Sequence, residues 1–181
     1  MEPDLADLTT CTRCGLAASR QRVVVGSGPD RPILTVIGEA PGRHEDEGGE
    51  PFIGRSGQLL FTWILEEVGL SRAQCFVTNV VKCRPPKNRT PTRVEVAACR
   101  PWLDRQLGLT RPLVVLALGN TAARAVFGLV EPMAASHGRV YTLACGPGVA
   151  TYHPAAALRT PSVVDVIRAD LRVVRRLVEA S

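Results

Sequence analysis

Residues 33–42 read Ile-Leu-Thr-Val-Ile-Gly-Glu-Ala-Pro-Gly, and this stretch decides the fold class. Its first five residues form an apolar run, which is typical of a strand buried in a parallel sheet. The run ends at Gly38, and the charged, glycine-rich residues 42–49 predict a loop. The stretch therefore predicts a core strand followed by a turn that carries one carboxylate, Glu39.

The rest of the chain alternates strand patterns with amphipathic helical patterns. Further strand patterns cover residues 76–81, 113–118, 140–143 and 149–152, and helical patterns cover 57–68, a segment from Arg93 and a segment after Ser162. Thr92 and Glu95 form a capping box that predicts the helix start at Arg93. This alternation predicts an α/β fold, a three-layer αβα sandwich around a central, mainly parallel four-stranded sheet. We expect a single domain over residues 1–181.

Composition narrows the class of protein. Hydrophobic residues make up 45% of the 181 positions, which is enough for one substantial core, and the net charge is +5. A basic chain suits a polyanionic partner such as nucleic acid, although an arginine-rich composition is an equally good explanation. No apolar run approaches the roughly 20 residues that cross a bilayer. We expect a monomeric, soluble, cytoplasmic protein that is not inserted in a membrane.

Three polar residues follow or end predicted strands. Glu39 follows the first core strand, Asn79 lies late in the next, and His153 follows the last. Ligands of open α/β sheets bind beyond the carboxyl ends of the strands. The sequence therefore predicts that these three side chains share one site.

Four of the six cysteines have a spacing that suggests a metal centre. Cys11 and Cys14 form a C-x-x-C pair, and Cys83 and Cys99 follow after a long gap, separated by fifteen residues. Structural zinc sites usually have two close pairs, whereas a four-cysteine iron–sulfur cluster accepts wider spacing. Spacing alone leaves zinc and iron–sulfur open, with a redox-active C-x-x-C as a third reading. Cys75 and Cys145 stand beside apolar residues and are interpreted as small buried hydrophobes.

A set of short motifs occurs in the order found in one known family. The motifs are Cys11–Cys14, Gly38–Gly42 with Glu45 and Asp46, Pro51–Gly54 with Gly57–Leu60, Thr78–Pro86, Cys99 and His153–Arg159. In these segments the chain resembles the family 4 uracil-DNA glycosylases, which carry an iron–sulfur cluster. The resemblance covers most of the chain from Cys11 to Arg159. It implies a structural 4Fe-4S cluster on Cys11, Cys14, Cys83 and Cys99.

The resemblance also implies a reaction and a set of roles. The enzyme would hydrolyse the N-glycosidic bond of a flipped-out deoxyuridine in DNA, releasing uracil and leaving an abasic site. Phe52 would stack on the base, and Asn79 would read its Watson–Crick edge. Glu39 would position water or stabilise the positive charge of the sugar, and His153 would bind uracil O2 as charge develops there. The Ala40 backbone would touch the base or its phosphate.

Contacts with the DNA and alternative functions complete these expectations. Basic residues of the motifs are candidate phosphate contacts, and one leucine is a candidate wedge for the vacated base stack; they are Arg55, Arg84, Lys87, Arg89, Arg159 and Leu158. One alternative is a glycosylase of broader range that also accepts hypoxanthine or other deaminated bases. Another is a non-catalytic iron–sulfur protein that binds DNA or senses redox state. Such a protein would have no need for Glu39, Phe52, Asn79 and His153 together.

Overall fold

The computed structural model describes residues 5–181, so the first four residues of the predicted domain lie outside the described residues. Its sheet is built from β1 (Leu34–Gly38), β2 (Cys75–Asn79), β3 (Val114–Leu118), β4 (Val140–Leu143) and β5 (Gly146–Thr151). The strand order is β2-β1-β3-β5-β4, and every neighbouring pair is parallel except β4 with β5. The predicted α/β class and mainly parallel sheet are confirmed.

The sheet has five strands within residues 5–181 rather than the four predicted. The additional strand, β4, coincides with the strand pattern predicted at 140–143; it is antiparallel and lies at the edge of the sheet, where it pairs with β5 as a hairpin. Its four residues alternate between exposed and half-buried, whereas β1 and β3 are buried at every position. An edge strand of this kind lacks the continuous apolar run that marks a central parallel strand.

Helices connect the strands and cover both faces of the sheet. Among the described residues they are α1 (Arg43–Gly48), α2 (Arg55–Val68), α3 (Arg93–Thr110), α4 (Gly119–Phe127), α5 (Met133–Ser136), α6 (Pro154–Ala157) and α7 (Val163–Glu179). Short 3-10 turns occupy Leu5–Thr10, Gly15–Ala18, Arg72–Gln74 and Pro86–Asn88. None of the helices within residues 5–181 is long and apolar enough to span a membrane.

Two cores lie on opposite faces of the sheet because side chains alternate along each strand. Helices α2 and α7 pack on one face, where Val36, Val77 and Leu116 are buried. Helices α3 and α4 pack on the other, together with Ile37 and Val115. We call these the α2/α7 face and the α3/α4 face. At the carboxyl edge of the sheet each face carries its own group of polar or sulfur-containing side chains.

The predicted start of α3 is confirmed. The hydroxyl of Thr92 accepts a hydrogen bond from the Glu95 N–H at 3.3 Å, and the Glu95 carboxylate accepts one from the Thr92 N–H at 2.7 Å. Two further bonds from Arg89 reach the same carboxylate. They are the main reason why the pKa of Glu95 falls to about 2. This network fixes the helix that carries Cys99.

Candidate active site

The ends of β1 and β2 bring Asn79 and Phe52 against Gly38. Gly38 is paired with Asn79 in the sheet, and Asn79 is only 2% exposed. A Cβ atom added to Gly38 would lie 2.4 Å from Asn79 Oδ1 and 2.5 Å from Phe52 Cζ. Any side chain at position 38 would therefore displace both residues. Glycine is needed here for close approach.

Phe52 is held in a strained backbone conformation. Its φ of 56° lies in the left-handed region, which costs a non-glycine residue about 1–3 kcal/mol. A Cβ on Gly57 would lie 2.0 Å from the Phe52 carbonyl oxygen, so the first turn of α2 needs a glycine where the Phe52 backbone packs on it. The Phe52 ring lies 5.9 Å from the His153 ring, centroid to centroid, with 30° between the planes. Close packing on Gly38 and Gly57 therefore keeps the aromatic ring beside Asn79 and His153 despite the strain.

Glu45 ties the Phe52 loop to the turn after β1. Its two carboxylate oxygens accept hydrogen bonds from the Gly54 N–H at 2.8 Å and from the Gly42 N–H at 3.1 Å. Arg72 supports the same loop by donating to the Pro51 carbonyl at 2.6 Å. Both oxygens of Glu45 are therefore engaged with the backbone. This carboxylate positions the site loops relative to each other.

His153 is a neutral hydrogen-bond donor. Burial is the main cause that lowers the pKa of His153 to about 4; Arg159 lowers it further and Glu45 opposes the shift. The ring nitrogen Nδ1 accepts a hydrogen bond from the Ala155 N–H at 3.2 Å. In a neutral imidazole with Nδ1 as acceptor, the ring hydrogen is on Nε2. At neutral pH the side chain therefore offers an Nε2–H to a bound ligand.

Glu39 is half-buried and accepts a hydrogen bond that the sequence did not predict. The hydroxyl of Thr121, in the first turn of α4, donates to Glu39 Oε2 at 2.5 Å. Gly119 starts the same helix with a φ of 83°, and a Cβ there would lie 3.3 Å from the His153 Cβ. The start of α4 therefore contacts both Glu39 and His153. The signal was available, since Thr121 follows β3 as Glu39 follows β1.

The backbone around Glu39 and Ala40 is fixed by the chain that leaves β2. The Val80 N–H donates to the Gly38 carbonyl at 2.9 Å, and the Val81 N–H donates to the Glu39 carbonyl at 3.1 Å. Ala40 is half-buried and packs against the core of the α3/α4 face. The predicted residues Glu39, Ala40, Phe52, Asn79 and His153 thus come together at one edge of the sheet.

The four predicted ligand cysteines line one pocket on the α3/α4 face. Within residues 5–181 no three His, Cys, Asp or Glu side chains lie close enough to hold a single metal ion. A single zinc ion needs its sulfurs about 2.3 Å from one point. A four-iron cluster instead binds each cysteine at a different iron atom, so separated thiols around one pocket fit that group.

Within residues 5–181, the cysteine pocket is lined by cations and by no carboxylate. Three positively charged residues line it with the cysteines, namely Arg13, Arg20 and Lys82. Arg20 donates to the Cys83 sulfur at 3.5 Å and to the Cys11 carbonyl at 2.6 Å. Burial lowers the pKa of the Lys82 ammonium to about 8, and the charge of Cys99 opposes that shift. The pocket therefore favours a negatively charged occupant.

The candidate DNA contacts differ in how free their side chains are. Arg55, Lys87 and Arg159 are exposed, and Leu158 is 44% exposed at the end of α6. Arg89 is held by Glu95, and Arg84 donates to the Asn88 side chain at 2.7 Å. Leu158 and Arg159 lie beside the His153 turn. Arg84 and Arg89 already interact with other side chains of the protein.

Similarity to known proteins extends over most of the chain. The model of the uracil DNA glycosylase superfamily matches residues 25–173. A type-4 uracil-DNA glycosylase of Pyrobaculum aerophilum is 42% identical over 172 residues, which cover 91% of this chain and 87% of the relative. Those of Sulfurisphaera tokodaii and Saccharolobus solfataricus are 37% and 39% identical, over 94% and 93% of this chain and 81% and 82% of their own.

Proposed function

The chain belongs to the type-4 uracil-DNA glycosylases of the uracil DNA glycosylase superfamily, and we propose that it excises uracil from DNA. The reaction is hydrolysis of the N-glycosidic bond of a flipped-out deoxyuridine, which gives free uracil and an abasic site. The observation that carries the proposal is the contact of Gly38 with both Asn79 and Phe52, beside the neutral ring of His153. An aromatic face, an amide and a ring N–H are the groups that a flipped pyrimidine requires.

Base recognition is assigned to Phe52 and Asn79. The Phe52 ring would stack on the uracil, and the Asn79 amide would accept from N3–H and donate to O4. Cytosine has an acceptor at N3 and a donor at the exocyclic amine, so both bonds would be lost. Because Asn79 is 2% exposed, the mismatched amide would be left without water to satisfy it. This supports strong discrimination between the two bases.

Catalysis is assigned to Glu39 and His153. As the glycosidic bond breaks, the sugar gains positive charge and the base departs as an anion. The Glu39 carboxylate, fixed by Thr121, would face the sugar and either stabilise that charge or align the attacking water. The Nε2–H of His153 would donate to uracil O2 as negative charge develops there. A neutral imidazole suits this role because it donates a hydrogen bond without giving up its proton.

The cofactor proposed for this chain is a 4Fe-4S cluster held by Cys11, Cys14, Cys83 and Cys99. Hydrolysis moves no electrons, so the cluster would supply structure rather than redox chemistry. It would join the N-terminal segment to the loop after β2 and to α3, which is where these cysteines lie. Purified protein should then be brown, with broad absorption near ~400 nm from the iron–thiolate bonds. Colourless protein with stoichiometric zinc would contradict the cluster.

The experiment that tests the function is excision from a labelled oligonucleotide with one uracil, followed by alkaline cleavage. Wild-type protein should produce alkali-labile sites without added metal, and an oligonucleotide with cytosine at the same position should stay intact. Asn79→Asp should lower activity on uracil or reduce discrimination against cytosine. A uracil oligonucleotide that stays intact with iron-loaded protein would refute the proposal. Parallel substrates with hypoxanthine measure whether the range is broader.

A further inference from the structure

Lys82 is the most unusual charge in the described structure. It is one of only two lysines in the chain, and its side chain is 0% exposed. Its Nζ donates three hydrogen bonds of 2.6 Å, to Thr78 Oγ1, to the Asn79 carbonyl and to Gln106 Oε1. All three acceptors are uncharged. A buried ammonium normally has a carboxylate partner, because removing the charge from water costs several kcal/mol.

The surroundings of Lys82 point to the missing counter-charge. None of the ion pairs within residues 5–181 includes Lys82. The residue lines the cysteine pocket together with Cys83 and Cys99. Four thiolates around a 4Fe-4S core outweigh the positive charge of that core. The bound centre would therefore carry the negative charge that the buried ammonium lacks.

Lys82 also reaches the base-recognition side of the sheet. Thr78 and Asn79 are adjacent in β2, so their side chains point to opposite faces. Thr78 faces Lys82 and Gln106 on the α3/α4 face, while Asn79 contacts Gly38 on the α2/α7 face. The Lys82 ammonium holds the Thr78 hydroxyl and the carbonyl of Asn79 itself. The Lys82 ammonium therefore stabilises the end of β2 from the α3/α4 face.

We propose that Lys82 is the buried counter-charge of the four-cysteine centre and a positioning residue that couples this centre to Asn79. The inference rests on the cluster assigned under the proposed function. Loading of the centre stabilises the ammonium, and the ammonium holds the Asn79 carbonyl in place. The cluster then contributes to base recognition through a hydrogen bond, without any part in the bond-breaking step.

The first test measures release of iron from metal-loaded protein to a chelator. Lys82→Met removes the charge, and Gln106→Glu places a competing carboxylate 2.6 Å from Nζ. Both variants should release iron about tenfold faster than wild type, as expected when a group supporting a metal ligand is lost. Gln106→Met is the charge-free control: it loses the bond to the Val25 carbonyl, as Gln106→Glu does, and it removes an acceptor from Lys82 and Thr78 without adding a negative charge. It should release iron more slowly than Gln106→Glu.

Two results would overturn the counter-charge. One is iron release from Lys82→Met at the wild-type rate. The other is equal release from Gln106→Glu and Gln106→Met, which remains measurable if Lys82→Met does not fold. Neither measurement uses DNA, so uracil excision by wild-type protein can fail or succeed independently. Absorbance of the wild-type protein likewise tests the cluster by itself.

The second test measures coupling to Asn79 by hydrogen exchange in metal-loaded protein. In Lys82→Met the Val80 amide, which donates to the Gly38 carbonyl, should exchange about tenfold faster than in wild type, because local opening near Asn79 becomes easier. The Leu116 amide in β3 should not change. Unchanged hydrogen exchange at the Val80 amide would show that Lys82 does not position the end of β2. In Gln106→Met, which keeps the ammonium, Val80 exchange should stay close to wild type.

Discussion

The proposed base pocket, around Phe52, Asn79 and His153, and the cysteine pocket lie on opposite faces of the sheet at its carboxyl edge. Different interactions stabilise the two pockets. On the α2/α7 face, glycines at 38 and 57 allow Phe52 to pack closely, and this packing holds its ring in place with a positive φ. On the α3/α4 face, four thiols are surrounded by cations and apolar side chains. The base pocket is organised by the polypeptide alone. The cysteine pocket has a positively charged lining, which the proposed cluster would balance.

Because different interactions stabilise the two pockets, substitutions in one pocket should affect a different property from substitutions in the other. Substitutions in the base pocket should remove activity and leave the metal in place. Substitutions in the cysteine pocket should release the metal and lower stability first. Lys82 is the residue through which the two regions contact each other, so it is expected to affect both.

The largest effect is expected from Cys99→Ser. Loss of one ligand should remove most of the iron, because the cluster needs all four thiolates. We expect a stability loss of about 3 kcal/mol or more, which lowers Tm by about 6–12 °C in a chain of this size. Iron analysis and thermal unfolding measure both effects. Cys145→Ser is the control, since Cys145 is outside the pocket and should keep full iron content; an iron-replete Cys99→Ser protein would remove Cys99 from the centre.

The next largest effect is expected from Gly38→Ala, which should disrupt the base pocket and leave the cysteine pocket unchanged. The new methyl group would lie within 2.5 Å of both Asn79 and Phe52 and would displace them. A displacement of about 1 Å in a catalytic site can cost about 100-fold in rate, so we expect at least that loss in kcat/KM. Iron content should match wild type. The control is Gly108→Ala, where no atom lies within 4 Å of the added carbon; comparable activity in both variants would contradict the close packing.

A smaller effect is expected from Thr121→Val, which removes the hydrogen bond to Glu39 but keeps the shape of the side chain. Hydrogen bonds to charged groups contribute about 1.5–3 kcal/mol, so kcat should fall about tenfold while KM changes little. Steady-state kinetics on the uracil oligonucleotide measure the split. Thr121→Ser should retain most of the activity. A change in KM with kcat intact would instead place Thr121 in substrate binding.

The smallest effect is expected from pH, since His153 should stay neutral across the working range. Its pKa of about 4 lies below the ordinary value of 6.5, so the imidazole gains its proton only as pH falls towards 4. Single-turnover excision should therefore show no inflection near pH 6.5 between pH 8 and 5. An inflection near pH 6.5 that disappears in His153→Asn would mean that the ring titrates normally. The His44→Gln variant, altered at an exposed histidine, is the control.

The sequence predicted the side chains of the base pocket better than the residues that hold them in position. Glu39, Asn79 and His153 could be placed at one edge because parallel strands end on the same side. Thr121 satisfies the same rule, yet a threonine in a helix start has an ordinary capping role that hides its contact with Glu39. The sequence does not indicate the position of Lys82, because a basic side chain is rarely buried. Its burial depends on Thr78, Gln106 and the cysteines, which are far apart in sequence.

The sequence by itself determined the fold class, the core strand to within one residue and the residue types of the two pockets, but it missed α1 in the segment 42–49 that was predicted as a loop. Apolar runs, glycine turns and cysteine spacing are local patterns, and local patterns can be recognised from the sequence alone. Only the tertiary structure decided that the two pockets occupy opposite faces of β2. It also decided that a left-handed Phe52 packs on Gly57 and that a buried ammonium links Asn79 to the cysteine pocket. These contacts depend on which distant segments the sheet brings together, and no local pattern specifies that.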